Sequence, residues 1–218
     1  MSSQTSPAVP TLDEHALRRV LLDLAPLAVL DGDRRSPPLL RGTGGGSDDG
    51  LSRTEAASAS GQLQRARELS PRLARVRADH GPDVVAVLLW LARYAGAFAD
   101  VEAFALLLGR QHGPVELRDA YETAAARAAS TAEALADCEK RLTEARGAKR
   151  GLTALTPEWS LAVKFIADCE KRQVTATGRA VSAAKALEEV RAELLARAMR
   201  RLFEAVGAWE RAQWPAAA

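Results

Sequence analysis

Apolar residues along this chain recur at steps of three and four rather than two, which collects them on one side of a helix. In "TLDEHALRRVLLDLAPL", Leu17, Val20, Leu21 and Leu24 make one apolar face, Thr11 and Glu14 have capping-box spacing, and Pro26 stops the run. A short amphipathic helix over 12–25 follows, marginal alone and in need of the later core or a partner. The next stretch, "DGDRRSPPLLRGTGGGSDDGLSRTEAASASG", is rich in Gly, Ser, Asp and Pro. It has too little apolar surface to offset its ordering entropy, so 31–60 reads as a flexible linker and 1–60 as a mostly disordered tail around one helix.

The helical rhythm returns in "QLQRARELSPRLARVRADHG", where Leu63, Leu69, Leu73 and Val76 form the stripe. Pro71 predicts a break there, with Ser70 capping the second piece. "HGP" at His80–Pro82, and again at His112–Pro114, predicts a helix stop in which glycine takes a left-handed backbone and proline starts the next helix. Between the two copies lies the most apolar part of the chain, "DVVAVLLWLARYAGAFADVEAFALLLGRQHGP". Arg93, Asp100 and Glu102 interrupt it, whereas a membrane span needs ~20 nearly uncharged residues. Two buried core helices, about 83–95 and 100–109, are expected instead.

From Leu117 the spacing becomes strict. Leu117, Tyr121, Ala124, Ala128, Thr131, Leu135, Cys138, Leu142 and Ala145 alternate steps of four and three. "GAKRGLTAL" breaks the run and "TPEW" restarts it, with Thr156 as N-cap and Pro157 at the first helical position. The pattern resumes through Ala162, Ile166, Cys169, Gln173, Ala176, Ala180, Ala183, Leu187, Val190 and Leu194. Both runs are heptad seams, and two long helices joined by a short loop run antiparallel. Folding near Thr153 lays the two copies of "ADCEKR" alongside each other with Cys138 and Cys169 on the seam. It also brings Glu139 near Glu170, a weak repulsion that the seams outweigh.

Composition agrees with the rhythm. Alanine and leucine dominate, and aromatics make up 5% of 218 residues. The fold class is therefore all-α: a small helical, helix-turn-helix-like head (61–113), then a long antiparallel coiled-coil-like hairpin (114–214) with its loop near 147–156, preceded by the disordered tail. The excess of alanine and arginine suits a GC-rich bacterial genome. Two cysteines do not make a disulfide scaffold. "MSSQTSPAVPTLDEHA" has no basic stretch followed by an apolar core, so a cytoplasmic protein is expected.

Chemistry is harder to find. His15, His80 and His112 lie apart in sequence, and no CxxC, HExxH, Walker loop or GxSxG occurs. No catalytic residue, metal ligand or cofactor site is expected, and the chain does not read as an enzyme. The net charge of +2, from 30 basic and 28 acidic residues, announces no polyanion partner by itself. Between Lys140 and Arg172, however, eight basic residues face four acidic ones. Arg146, Lys149, Arg150 and Lys164 form a candidate basic tip for phosphates or an acidic protein. In "RLFEAVGAWERAQW", Leu202, Val206, Trp209 and Trp214 fall near one face, either an interface or a surface that packs back onto the head.

One segment, "VEAFALLLGRQHGPVELRDA", resembles the helix-turn-helix of sigma-factor region 4 and related phage regulators. Ala105 matches the small residue at the helix crossing, Gly109 the turn glycine, and Phe104, Leu108 and Val115 the apolar positions. Arg110 stands where the family has an apolar residue, the turn "GRQHG" is longer than the family's, and the same small residues fit an ordinary helical corner. The resemblance spans about Asp83 to Arg127 and implies that Arg110, Gln111, His112 and Arg118 contact bases or phosphates. Two readings result: a bacterial or prophage transcription regulator on duplex DNA, or a structural adaptor working through coiled-coil contacts. Both take a protein partner or a second copy through the hairpin or the C-terminal face, and neither involves a membrane.

Overall fold

Residues with little β-branching and abundant Ala, Leu, Arg and Glu favour helix at nearly every position, and all regular structure among the described residues is helical. The computed structural model describes residues 12–29 and 53–212, with the backbone alone for 53–60. The elements are α1 (Glu14–Leu24), a 3-10 turn (Ala25–Val29), α2 (Arg53–His80), α3 (Pro82–Tyr94), a second 3-10 turn (Ala95–Ala97), α4 (Val101–His112), α5 (Val115–Arg150) and α6 (Pro157–Arg211). They divide into two units. One, the head, comprises the residues up to Gly109 together with those from Leu195 onward; the other, the hairpin, is Arg110–Leu194.

In the head, α1 is docked rather than trailing. Its stripe of Leu17, Val20, Leu21 and Leu24 is buried with Leu27, each side chain contributing ~1.5–3 kcal/mol of transfer free energy against the entropy of ordering a short helix. The N-cap is Asp13, whose carboxylate accepts the His15 N–H at 3.0 Å, and Thr11, the first residue of the expected capping box, lies outside the described residues. Asp13 stands directly before the helix and offers its first free N–H groups a carboxylate acceptor. Arg18 pairs with Glu14 at 2.8 Å, and Arg19 reaches Glu210 at 2.7 Å, joining α1 to the end of α6.

α2 corrects two expectations. Its first turns begin at Arg53, inside the expected linker; residues 30–52 lie outside the described residues. It also runs through Pro71 without a break. Ala66, Leu69, Leu73 and Val76 hold a continuous stripe on both sides of Pro71, with Ala66 and Val76 fully buried. Packing across the proline outweighs the local rule, and the loss is one backbone hydrogen bond, because Pro71 has no N–H to give the Arg67 carbonyl.

α3 starts as expected, with Gly81 at φ 86 and Pro82 in the first turn. The second "HGP" behaves differently: Gly113 makes a bend and Pro114 is the residue before α5. Trp90, Tyr94, Phe98 and Phe104 form an aromatic cluster with ring centroids 4.9–5.5 Å apart. Leu202, Val206 and Trp209 complete this core. The C-terminal face therefore packs back onto the head, and Trp214 lies outside the described residues.

A partly buried charge lies against the same core. The Arg72 side chain is 11% exposed, 3.9 Å from Asp23. Its guanidinium lies 3.8 Å over the Trp209 ring and donates to the Trp209 carbonyl. Desolvation pushes the Arg72 pKa down, with Asp23 opposing. Three helices meet on this group: α1 through Asp23, α2 through Arg72 and α6 through Trp209.

In the hairpin, every seam position named above from Leu117 to Ala145 and from Ala162 to Leu194 is partly or fully buried, while most positions between them are exposed. Lys149 lies 5.0 Å over the Trp159 ring, Arg146 pairs with Glu170 at 2.9 Å, and one groove farther from the loop is lined by residues 130–138 of α5 and 171–179 of α6. Residues farther before the loop thus meet residues farther after it, the signature of an antiparallel pair. Glu170, expected beside Glu139, has Arg146 as its partner. Cys138 is half-buried, Cys169 is buried, and both are free thiols.

Candidate functional site

The loop of the hairpin is shorter than expected, because α5 continues through Gly147 to Arg150 and only residues 151–156 are non-helical. Thr156 caps α6 by accepting the Trp159 N–H at 3.2 Å, with Pro157 in the first turn. The loop is closed from the other side by Leu152, whose N–H donates to the Lys149 carbonyl at 3.1 Å. The four residues of the candidate basic tip gather around this turn. Arg146 is occupied by Glu170 and Lys149 by the Trp159 ring, whereas Arg150 and Lys164 are exposed and have no ion-pair partner among the described residues.

Four apolar side chains stand out at the same end: Leu152, Leu155, Leu161 and Phe165, the last three 88%, 65% and 56% exposed. Charge counting missed them. The available signal was Leu161 and Phe165, apolar residues each one position off the Ala162–Ile166 seam. Leu155 also carries φ 67, the left-handed region that costs a branched residue about 1–2 kcal/mol. Glycine would satisfy the turn without that cost. An exposed leucine held there is the kind of local strain that marks functional segments.

The residues of the helix-turn-helix resemblance occupy a different place. α4 extends to His112, so Arg110, Gln111 and His112 are on its last turn and the connection to α5 shrinks to Gly113–Pro114. The four candidates do come together. Arg110 pairs with Glu122 at 3.0 Å and lies 5.4 Å over the Tyr121 ring. Arg118 donates to the Gln111 carbonyl at 3.1 Å, and its Nε is buried without a partner. His112 is exposed beside them. Phe104, Ala105, Leu108 and Gly109 are buried in the head as the motif requires, but Val115 is 54% exposed.

A concavity lies along the hairpin, between α5 and α6. It is a groove of about 590 Å³, with Ala134 and Ala176 among its lining residues. Among the described residues, no group of three or more His, Cys, Asp or Glu side chains is placed to hold a metal ion, and no helix is long and apolar enough to cross a membrane. In comparisons with known proteins, no family model, no curated protein and no solved structure matches this chain.

Proposed function

We propose that this chain is a non-enzymatic adaptor that takes a protein partner on the tip of its helical hairpin. The observation that carries the reading is the set of exposed Leu152, Leu155, Leu161 and Phe165 beside the unpaired Arg150 and Lys164. Apolar anchors with a charged rim are the anatomy of a protein interface, with the anchors supplying affinity and the rim supplying steering. Here the rim carries Arg150 and Lys164 together with Glu158 and Asp168, so the partner surface is apolar at its centre and mixed in charge at its edge. A rod-like hairpin suits this task, since it presents a small end on a stiff support.

DNA association through α4 and α5 is the second reading, favoured by the convergence of Arg110, Gln111, His112 and Arg118 on one corner. It draws less support because Arg110 and Arg118 are engaged within the chain. One set of samples separates the two. A photo-crosslinker at position 155 should give a discrete adduct in the source cells, and a control at exposed Glu133 should not. Leu161→Glu with Phe165→Glu should weaken the purified complex by about 100-fold, since each anchor is worth ~1–2 kcal/mol or more. A complex untouched by that pair of changes removes the adaptor reading. Retention on duplex DNA that falls steeply with salt, and is lost in Arg110→Ala with Arg118→Ala, would put the regulator in its place.

A further inference from the structure

The groove along the hairpin has a chemistry of its own, independent of the tip. Its charged lining is entirely basic: Lys171, Arg172 and Arg179, all on α6, with no carboxylate among the residues that form it. None of the three has an ion-pair partner among the described residues, although carboxylates are common on both helices. Three like charges within about two turns of one helix raise the local positive potential, and an anion relieves their repulsion.

Two of the three hydroxyls that line the groove, those of Thr131 and Thr175, add a second requirement. Thr131 Oγ1 donates back to the carbonyls of Arg127 (2.9 Å) and Ala128 (3.0 Å). Thr175 Oγ1 donates to the Lys171 carbonyl at 3.1 Å. Their protons are thus committed, and what they offer a ligand is lone pairs. A ligand that satisfies the groove carries negative charge for the cations and O–H or N–H donors for the threonines. The volume, about 590 Å³, is within the range of small-molecule sites.

We infer that this groove binds a small soluble phosphoester bearing hydroxyl groups, of the sugar-phosphate or nucleotide class, with its phosphate on Arg172, Arg179 and Lys171 and its hydroxyls on Thr131 and Thr175. The site contains its own reporter. Cys138 is a half-buried thiol on the groove wall, and buried Cys169 serves as the internal reference.

The test follows alkylation of Cys138 by N-ethylmaleimide in the full chain, read by peptide mass spectrometry. Ribose 5-phosphate and adenosine diphosphate are the probes, with adenosine, inorganic phosphate and sodium chloride of matched ionic strength as comparisons. The phosphoesters should slow Cys138 alkylation saturably, adenosine and the salt should not, and inorganic phosphate should act only at higher concentration. Arg172→Glu with Arg179→Glu, both at exposed positions, should raise the half-saturating concentration about 10- to 100-fold, as loss of charge-assisted hydrogen bonds does, with unchanged circular dichroism. Absence of saturable protection overturns the site, as does protection that survives both charge reversals. Equal affinity for inorganic phosphate overturns the phosphoester assignment.

Discussion

Trp209→Ala is expected to lower the unfolding free energy by about 3–5 kcal/mol, the largest loss of any single truncation in the head. Trp209 is completely buried, and its ring is the floor on which the Arg72 guanidinium lies at 3.8 Å. Removing it opens a cavity and strips a partly buried charge of its cation–π partner. The hydrogen bond from Arg72 to the Trp209 carbonyl survives, being made to the backbone. Trp209→Phe should cost far less, because a ring remains and the indole Nε1, buried without a partner, disappears. Urea denaturation followed by circular dichroism reads both. A loss below about 1 kcal/mol for the alanine variant would mean that Arg72 and Trp209 do not hold α2 to α6 as described.

Pro71→Ala should act in the opposite direction, raising stability by about 1–3 kcal/mol. Inside α2 the proline ring crowds the Arg67 carbonyl and denies it a donor, at a cost approaching ~3 kcal/mol in an ordinary helix. Alanine restores the donor and gives back some unfolded-state entropy, a smaller opposing effect of ~0.4–1 kcal/mol. The same denaturation series measures it. If Pro71→Ala is instead destabilising, Pro71 itself helps to hold the neighbouring Arg72 on Trp209. The proline is then part of the clasp.

These two sites also mark where the sequence could be read and where it could not. The seam of the hairpin was legible residue by residue, since a period of 3.5 sustained from Leu117 to Ala145 and from Ala162 to Leu194 keeps one face of each helix against a neighbour, and the short loop between them makes that neighbour the other run. The head was legible as helices but not as a boundary. Periodicity identifies the apolar face of Leu202, Val206 and Trp209 without saying what covers it, so a partner and the head were equal readings. Pro71 misled because a breaker is a local signal, and the stripe from Ala66 to Val76 that carries α2 past it is a tertiary one. At the tip, heptad reading directed attention to the seam, and Leu161 and Phe165 were passed over because they lie off it. Of the corner resemblance, the convergence of its four residues was readable. Their internal pairing was not, since Glu122 could have faced several neighbours.

The head takes α1 to most of α4 from one side of the hairpin sequence and residues 195–212 from the other, with α6 contributing to both units. On a ribosome this ordering matters, because domains assemble as their parts emerge. The pieces of the head made first must wait with their core incomplete while the whole hairpin is synthesised and zips. Only when Leu202, Val206 and Trp209 leave the exit tunnel does the nascent chain gain the residues that complete that core. Until then the half-built head is a natural client for a chaperone.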